Sequence, residues 1–338
     1  MKITDYLNTG KKFFSVEVSP PTKNKQMTGL FKIIERFLPY NPAYISITYH
    51  PLKITHINVN NDSTQLNNSL YSLTQKLNPT SSLYNITSDY YQKKHANPLG
   101  VCAAIKYKYG VEVMPHFVCA GMNKVQVEEA LLDFAFLGIK NVFALRGDPF
   151  QANEKFKPID GGYRYANELV SQITDMKNSL FMNKVDGYES IDFCVGVAAY
   201  PEKHSDATDI DDDIRNLKRK VDAGADFIIT QMCLDADVFL QWQKKIRDAG
   251  ITVPIIPGLK PLTSVSQLLT LKYTYHVNIP EHLEKLFESV SDKEKAYKIG
   301  VEHCIELSKK LLDAGASGIH YFTMGTAKDI EEVVKELF

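Results

Sequence analysis

The sequence predicts an α/β protein of the (β/α)8 TIM-barrel class, with an insertion after strand 2 and extra helices late in the chain. Three observations predict it. Apolar runs of strand length recur eight times, helical patterns lie between them, and each run ends in a polar or small residue. Alternating strands and helices imply a parallel sheet. In a closed barrel the C-terminal strand ends share one face, where sites are built.

The first run, FFSVEV, encloses Glu17 and stops at Ser19-Pro20-Pro21. Residues 25–38 read as a helix ended by Pro39 and Pro42. AYISIT stops at Thr48-Tyr49-His50. Residues 51–110 exceed a minimal barrel; their first part, rich in Asn, Ser and Thr, is expected to loop over the surface. Their end, Pro98 to Tyr109, reads as a helix with proline in its first turn. GVEVMP leads to His116, and Asn123 suits the N-cap of a helix running to Leu137 and stopped by Gly138. NVFAL leads to Arg146-Gly147-Asp148, and residues 163–178 form the next helix. FCVGVAAY ends in Tyr200-Pro201-Glu202, followed by a helix over 207–223 closed by Gly224. DFIIT leads to Gln231. Asp235 then caps a helix whose Phe239, Trp242 and Ile246 make one apolar stripe, ended by Gly250. TVPIIP leads to Gly258, and residues 263–290 are the second extension. Residues 292–313 carry a stripe through Tyr297, Val301, Cys304 and Ile305, closed by Gly315. SGIHYFT ends at Thr323-Met324-Gly325, and 327–337 is the last helix. With no flexible linker and no repeat, residues 1–338 read as one domain.

Lys and Arg total 39 against 40 Asp and Glu, a formal charge of −1. That balance lacks the basic footprint of a nucleic-acid binder. The five cysteines, Cys102, Cys119, Cys194, Cys233 and Cys304, form no CxxC pair and read as buried free thiols in a reducing compartment. No apolar run approaches the roughly 20 residues that span a bilayer. The expectation is a soluble, cytoplasmic protein without membrane or nucleic-acid partners.

Glu17 is the sharpest single residue. Alternation puts Phe13, Ser15 and Glu17 on one strand face and Phe14, Val16 and Val18 on the other. Its sequence neighbours are apolar or small, and a poorly hydrated carboxyl has a raised pKa, which suits a general acid near neutral pH. A buried glutamate paired with an Arg or Lys is an equally open reading. Arg146-Gly147-Asp148 could flank a ligand, or form an ordinary turn with a salt bridge. Asp213, Asn216 and Lys220 share a helix stripe suited to ribose and phosphate, although a solvated charged face is the commoner cause of such runs. His116 and His204 lack metal-ligand spacing, so no metal is expected. Lys260 is either a Schiff-base lysine or a loop lysine before Pro261. No GxGxxG or Walker loop is present, so a nucleotide cofactor would have to bind through groups at the barrel mouth.

Taken together, FFSVEVSPP, ISITYHP, MPHFVC, FALRGD, AAYPEKHSDA, NLKRKVDAGADFIITQ and IIPGL occur in the order seen in one family. Over nearly its whole length the chain resembles methylenetetrahydrofolate reductase, in the short bacterial form that consists of the catalytic barrel. The resemblance implies bound FAD, NADH or NADPH as donor, methylenetetrahydrofolate as substrate and a homo-oligomer. It assigns Glu17 and Asp148 as catalytic. Thr48, Tyr49, His116, Arg146, Gly147, Asp148, Tyr165, Ala166, Tyr200, His204, Ala207, Asp213, Asn216, Arg219 and Lys220 fall on its FAD-contact positions. Glu17, Thr48, Gln231 and Phe322 fall on its substrate positions.

The implied reaction is ping-pong. NAD(P)H reduces the flavin and leaves, and methylenetetrahydrofolate takes its place. Glu17 protonates N10, the ring opens to an iminium at N5, and the reduced flavin passes hydride to the methylene carbon. Asp148, near the flavin ring, disfavours the anionic reduced form and binds the pterin. Val265 stands where the family carries a stacking aromatic, Phe322 where some members have Tyr, and Thr326 near an Arg for which Lys328 would substitute. Two other classes compete: a Schiff-base aldolase using Lys260, and a non-catalytic folate- or flavin-binding barrel.

Overall fold

The computed structural model describes residues 1–22, 27–49, 53–58, 87–92, 95–149, 155–182 and 190–338, with spans 53–58 and 87–92 described by their backbone. A short helix α1 (Ile3–Leu7) precedes β1 (Phe13–Val18), α2 (Met27–Phe37) and β2 (Ile45–Ile47). Two further strands, β3 (Lys53–Asn58) and β4 (Thr87–Gln92), come next, then α3 (Pro98–Tyr109), β5 (Val113–Val118), α4 (Lys124–Phe136) and β6 (Asn141–Leu145). They are followed by α5 (Ala166–Lys177), β7 (Cys194–Ala199), α6 (Ile210–Asp222), β8 (Phe227–Met232), α7 (Ala236–Asp248) and β9 (Ile255–Leu259). The chain closes with α8 (Val265–Thr274), α9 (Glu281–Glu288), α10 (Lys293–Asp313), β10 (Gly318–Phe322) and α11 (Lys328–Leu337).

Eight strands close a barrel in the order β1-β10-β9-β8-β7-β6-β5-β2, every neighbouring pair parallel. The expected fold class is therefore the observed one. Two hydrophobic clusters divide along strand alternation. Phe14, Val16, Ile45, Val142, Val197 and Ile319 pack outward against the helices. Phe13, Met114, Phe143, Phe227 and Ile256 fill the barrel interior. All five cysteines are buried and unpaired. No helix among the described residues is long and apolar enough to cross a membrane.

Three expectations need correction. The first part of the insertion is not simply a surface loop, because Lys53–Asn58 pairs antiparallel with Thr87–Gln92 outside the barrel. Residues 59–86 and His50 lie outside the described residues. AYISIT contracts to three strand residues, although Ala43 N still donates to Phe14 O at 2.8 Å and Thr48 N to Val18 O at 3.1 Å. GVEVMP shifts toward its C-terminal side. The Glu112 carboxylate turns aside to the Met1 ammonium at 2.6 Å and Lys106 at 3.0 Å, and the strand instead runs on through His116 to Val118.

The helix punctuation behaves as its chemistry requires. Asn123 and Gln126 form a reciprocal capping box on α4, and Asp235 and Asp292 cap α7 and α10 through backbone N–H groups. One glycine sets how closely α10 approaches the barrel mouth. A Cβ at Gly300 would lie 1.7 Å from the Leu262 carbonyl oxygen, and backbone atoms have no rotamer with which to yield. Gly300→Ala is expected to cost about 1–3 kcal/mol by forcing α10 from the loop after β9. A urea midpoint unchanged from wild type would show that the helix shifts without cost.

Candidate active site

Glu17 points into the barrel from β1, near the C-terminal rim. Its Oε2 lies 3.4 Å from His116 Nε2 and 3.9 Å from His320 Nε2. Each imidazole has a serine partner: Ser46 Oγ is 2.8 Å from His116 Nε2, and Ser15 Oγ is 2.8 Å from His320 Nδ1. The apolar environment suggested by neighbours in sequence is thus incomplete, because two rings from distant strands flank the carboxylate. The backbone of Glu17 is held too, its carbonyl accepting from Thr323 Oγ1 at 2.7 Å and Thr323 N at 3.3 Å.

This carboxylate opens into a cavity of about 740 Å³. Thr48, Tyr49, His116, Arg146, Gly147 and Asp148 line it, with Gln231 and Phe322. Gln231 and His116 lie within β8 and β5, one or two residues before the strand ends. Gly147 has φ +82, and a Cβ there would press on Val118 and Ala120 at 3.1 and 3.2 Å, so glycine lets the Arg146–Asp148 corner turn inward.

A second cavity, of about 780 Å³, shares Arg146, Ala198, Tyr200 and His204 with the first. Tyr165, Ala166 and Ala207 line it, as do Asp213, Asn216, Arg219 and Lys220 from α6. Helix α6 therefore has two charged faces. Lys218–Asp222 and Arg215–Asp212 pair across its exposed side, whereas the Asp213–Asn216–Lys220 stripe faces the cavity. Burial drives the Lys220 ammonium down to about 8, with Arg146 adding repulsion and Asp213 opposing it; its Nζ donates to Ala198 O at 2.6 Å. Burial raises the Asp213 carboxyl, which accepts from His204 N at 3.1 Å. Burial and then Arg146 lower His204 to about 4. Burial, then Asp213 and Asp148, push the Tyr200 phenol up to about 12. Arg146 itself pairs with Asp206 at 2.6 Å and lies over the Phe156 ring at 5.4 Å. An anion would suit this pocket, whose wall carries five cations, Arg146, Lys155, Arg164, Arg219 and Lys220, against the three carboxylates Asp206, Asp212 and Asp213.

Lys260 is a loop lysine just past β9, as one of the two readings had it, but it has a partner and does not face a cavity as a Schiff-base lysine must. It is 2 % exposed, lines neither cavity, and its ammonium is ion-paired with the equally buried Asp329. Thr326 Oγ1 joins that pair at 3.4 Å from Lys260 Nζ and also donates to Thr323 O at 3.1 Å. The buried pair is thereby linked through residues 326 and 323 to the Glu17 carbonyl. Lys328 does not face the cavity; it sits over the Tyr297 ring at 5.0 Å and beside Glu332 at 3.9 Å.

Val265 is the first residue of α8 and 45 % exposed, outside the cavity wall. An aromatic arrives from the opposite end of that helix: Tyr275, its C-cap residue, lines the first cavity. The turn beyond it is anchored by buried Val277 and by Asn278 N donating to Glu202 Oε2 at 2.8 Å. Tyr275 and His320 are among the wall residues that sequence reasoning missed. Alternation in SGIHYFT places His320 on the same face as Phe322, a usable signal. Nothing local marks Tyr275, whose position depends on how α8 packs.

A family model described as methylenetetrahydrofolate reductase matches residues 2–68 and 60–338. Methylenetetrahydrofolate reductase 1 of Schizosaccharomyces pombe is 35 % identical over 239 residues, covering 70 % of this chain and 38 % of that protein. Methylenetetrahydrofolate reductase (NADH) 1 of Arabidopsis thaliana is 29 % identical, covering 100 % of this chain and 51 % of its own length. The 5,10-methylenetetrahydrofolate reductase of Escherichia coli is 26 % identical, covering 93 % of this chain and 86 % of its own length. The chain spans about half or less of several relatives it matches. Among solved structures, an uncharacterized Clostridium thermocellum protein that binds two copies of 5-methyl-5,6,7,8-tetrahydrofolic acid shares the fold. Its TM-score is 0.54 at 14 % identity, covering 99 % of this chain and 97 % of that one. The chain belongs to the methylenetetrahydrofolate reductase family.

His204 offers a test of how dry the shared wall is. The folded form keeps the imidazole neutral to about pH 4, while the unfolded chain takes up its proton near 6.5. Its contribution to stability is therefore present above 6.5 and lost as pH falls from there toward 4. NMR titration of its ring protons is expected to give a midpoint well below the ordinary histidine value; an ordinary midpoint would mean that water reaches the ring.

Proposed function

We propose that this chain reduces 5,10-methylenetetrahydrofolate to 5-methyltetrahydrofolate, with NAD(P)H as donor and FAD held non-covalently between them. The observation that carries this reading is the Glu17 carboxyl, set beside two imidazoles in the wall of one cavity that opens directly into a second, cation-lined one. Family membership narrows the chemistry that such a pair of cavities serves.

The residues fit the cofactor by the character of their donors. Lys220, half-buried and depressed to about 8, gains from a nearby anion, and a diphosphate supplies one. Asp213 accepts hydrogen bonds from ribose hydroxyls, and Arg219 and Asn216, themselves bonded at 2.8 Å, line the same wall. Thr48, Tyr49, His116, Tyr165, Ala166, Tyr200, His204 and Ala207 complete the cofactor contacts, with Arg146 and Gly147 at the corner where the cavities join. When bound, FAD supplies a hydride relay in two ping-pong halves, from NAD(P)H and then to the folate methylene carbon.

The chain's own contribution is proton placement and orientation. Glu17 delivers a proton to N10 of the substrate, making that nitrogen a leaving group. Asp148 sets a negative charge at the mouth, where it opposes accumulation of anionic reduced cofactor and accepts from the pterin. Gln231, Thr48 and Phe322 orient the folate. Tyr275 encloses the mouth in place of the position held by Val265.

A purified, yellow protein bleached by NADH or NADPH and recoloured by methylenetetrahydrofolate is the expected result; a colourless protein that refuses FAD would end the reading. Glu17→Gln is expected to keep bleaching and slow recolouring about 10²–10⁴-fold. Recolouring at the wild-type rate would leave a barrel in which Glu17 is not the acid. FAD affinity should be level below about pH 8 and weaken above it, because binding must then restore the Lys220 proton. Fluorescence titrations on either side of that pH check this, and Lys220→Met should abolish the dependence while weakening binding about 10–100-fold.

A further inference from the structure

We propose that His320 returns the proton to Glu17 between turnovers, an inference that rests on the folate-reducing reading above. β1 and β10 pair with Ser15 opposite His320 and Glu17 opposite Phe322. Alternation turns Ser15, Glu17 and His320 toward the barrel interior. His320 is 1 % exposed yet forms part of the cavity wall. Its ring is fixed between Tyr44, stacked at 6.0 Å, and Phe322, edge-on at 5.1 Å.

The two ring nitrogens have separate tasks. Nδ1 lies 2.8 Å from Ser15 Oγ, while Nε2 lies 3.9 Å from Glu17 Oε2. A serine hydroxyl can accept or donate; in the tautomer the relay requires, Ser15 accepts from Nδ1–H, which leaves Nε2 to gain and lose a proton. His116 is built differently. The nitrogen that faces Glu17 at 3.4 Å is the one that meets Ser46 Oγ at 2.8 Å, so transfer there competes with the serine contact. The 3.9 Å separation at His320 exceeds a hydrogen bond, as catalytic contacts often do before substrate packs around them.

The step balances. Glu17 gives its proton to N10 as the N10–methylene bond breaks, the bonding electrons staying on nitrogen. The carboxylate then takes a proton from Nε2 of the imidazolium, and Nε2 recovers one from water at the cavity mouth. One proton is consumed for each hydride delivered, and no electron passes through the ring. Tyr44, ahead of β2, stacks on the His320 ring, and the other titratable groups of the same cavity wall are Tyr49, His95, His116, Arg146, Asp148, Tyr200, His204 and Tyr275. Burial and nearby carboxylates raise the Tyr44 and Tyr275 phenols, which keeps them protonated through the neutral range.

The test measures reoxidation of the reduced holoenzyme by methylenetetrahydrofolate across pH, alongside flavin reduction by NAD(P)H. His320→Asn retains an N–H for Ser15 and removes Nε2. It is expected to slow reoxidation about tenfold or more with an altered pH profile, to recover with added imidazole, and to leave flavin reduction within about twofold. Equal losses in both halves, or an unaltered reoxidation profile, would overturn the proposal. If that variant does not fold, Ser15→Ala is expected to shift the same profile, and an unshifted profile overturns the relay. Nitrogen NMR of histidine-labelled protein gives a readout independent of turnover. Nδ1 should stay protonated, Nε2 should follow pH, and Glu17→Gln should alter the Nε2 signal. An Nε2 that carries no proton at any pH at which the enzyme reoxidises rejects the relay, whereas a wild-type protein that never reoxidises with folate counts against the functional reading.

Discussion

Barrel closure is the constraint on which the site depends. β1 and β10 lie at opposite ends of the chain, and their parallel pairing brings Ser15 and His320, 305 residues apart, to 2.8 Å. Without that pairing the Glu17 carboxyl would have an apolar strand around it and no imidazole from β10. The hydrophobic effect drives closure through the outward residues that pack on the helices, while the inward residues at the rim remain available for chemistry. Long-range pairing of this sort is slow to form, so the site is completed only when the last strand docks.

The two joined cavities divide their electrostatic tasks. The first combines two carboxylates, Glu17 and Asp148, with imidazoles and aromatic rings, a setting in which protons can be moved. The second sets a half-buried lysine near an arginine and partly shields them with Asp213 and Asp206, a setting for a ligand carrying negative charge. Arg146 and His204 belong to both walls, so a charge change in one cavity is felt in the other. The depressed His204 and the elevated Tyr200, crossed edge to face at 4.6 Å, add no charge of their own to that wall, which leaves Arg146 as its charged group.

Much of this was legible locally. Strand–helix alternation and capping residues such as Asn123 and Asp235 are short-range signals, and the observed helices begin where those caps put them. Glu17, Thr48, Arg146, Tyr200 and Gln231 line the first cavity because rim positions in a barrel follow from where strands end, whereas Tyr165, Ala166, Ala207 and Arg219 in the second were indicated by the family resemblance alone. What escaped depended on contacts between distant segments. β5 moved because Glu112 meets the chain's first residue, and Tyr275 reached the mouth because Val277 and Glu202 anchor the turn behind it. Lys260 looked unpartnered because its carboxylate lies 69 residues further on.

That lysine also bears on how the sequence can change over time. An ammonium and a carboxylate sealed from water are tolerated together, and removal of either strands the other at a cost of about 3–5 kcal/mol. Positions 260 and 329 are therefore a single heritable unit, to be exchanged jointly for an apolar pair or kept. Because Thr326 and Thr323 continue the linkage to the first strand, descendants that lose one member would inherit a loosened Glu17 as well as a weaker fold. Covariation at these two positions would be a signature of active-site geometry recorded outside the active site.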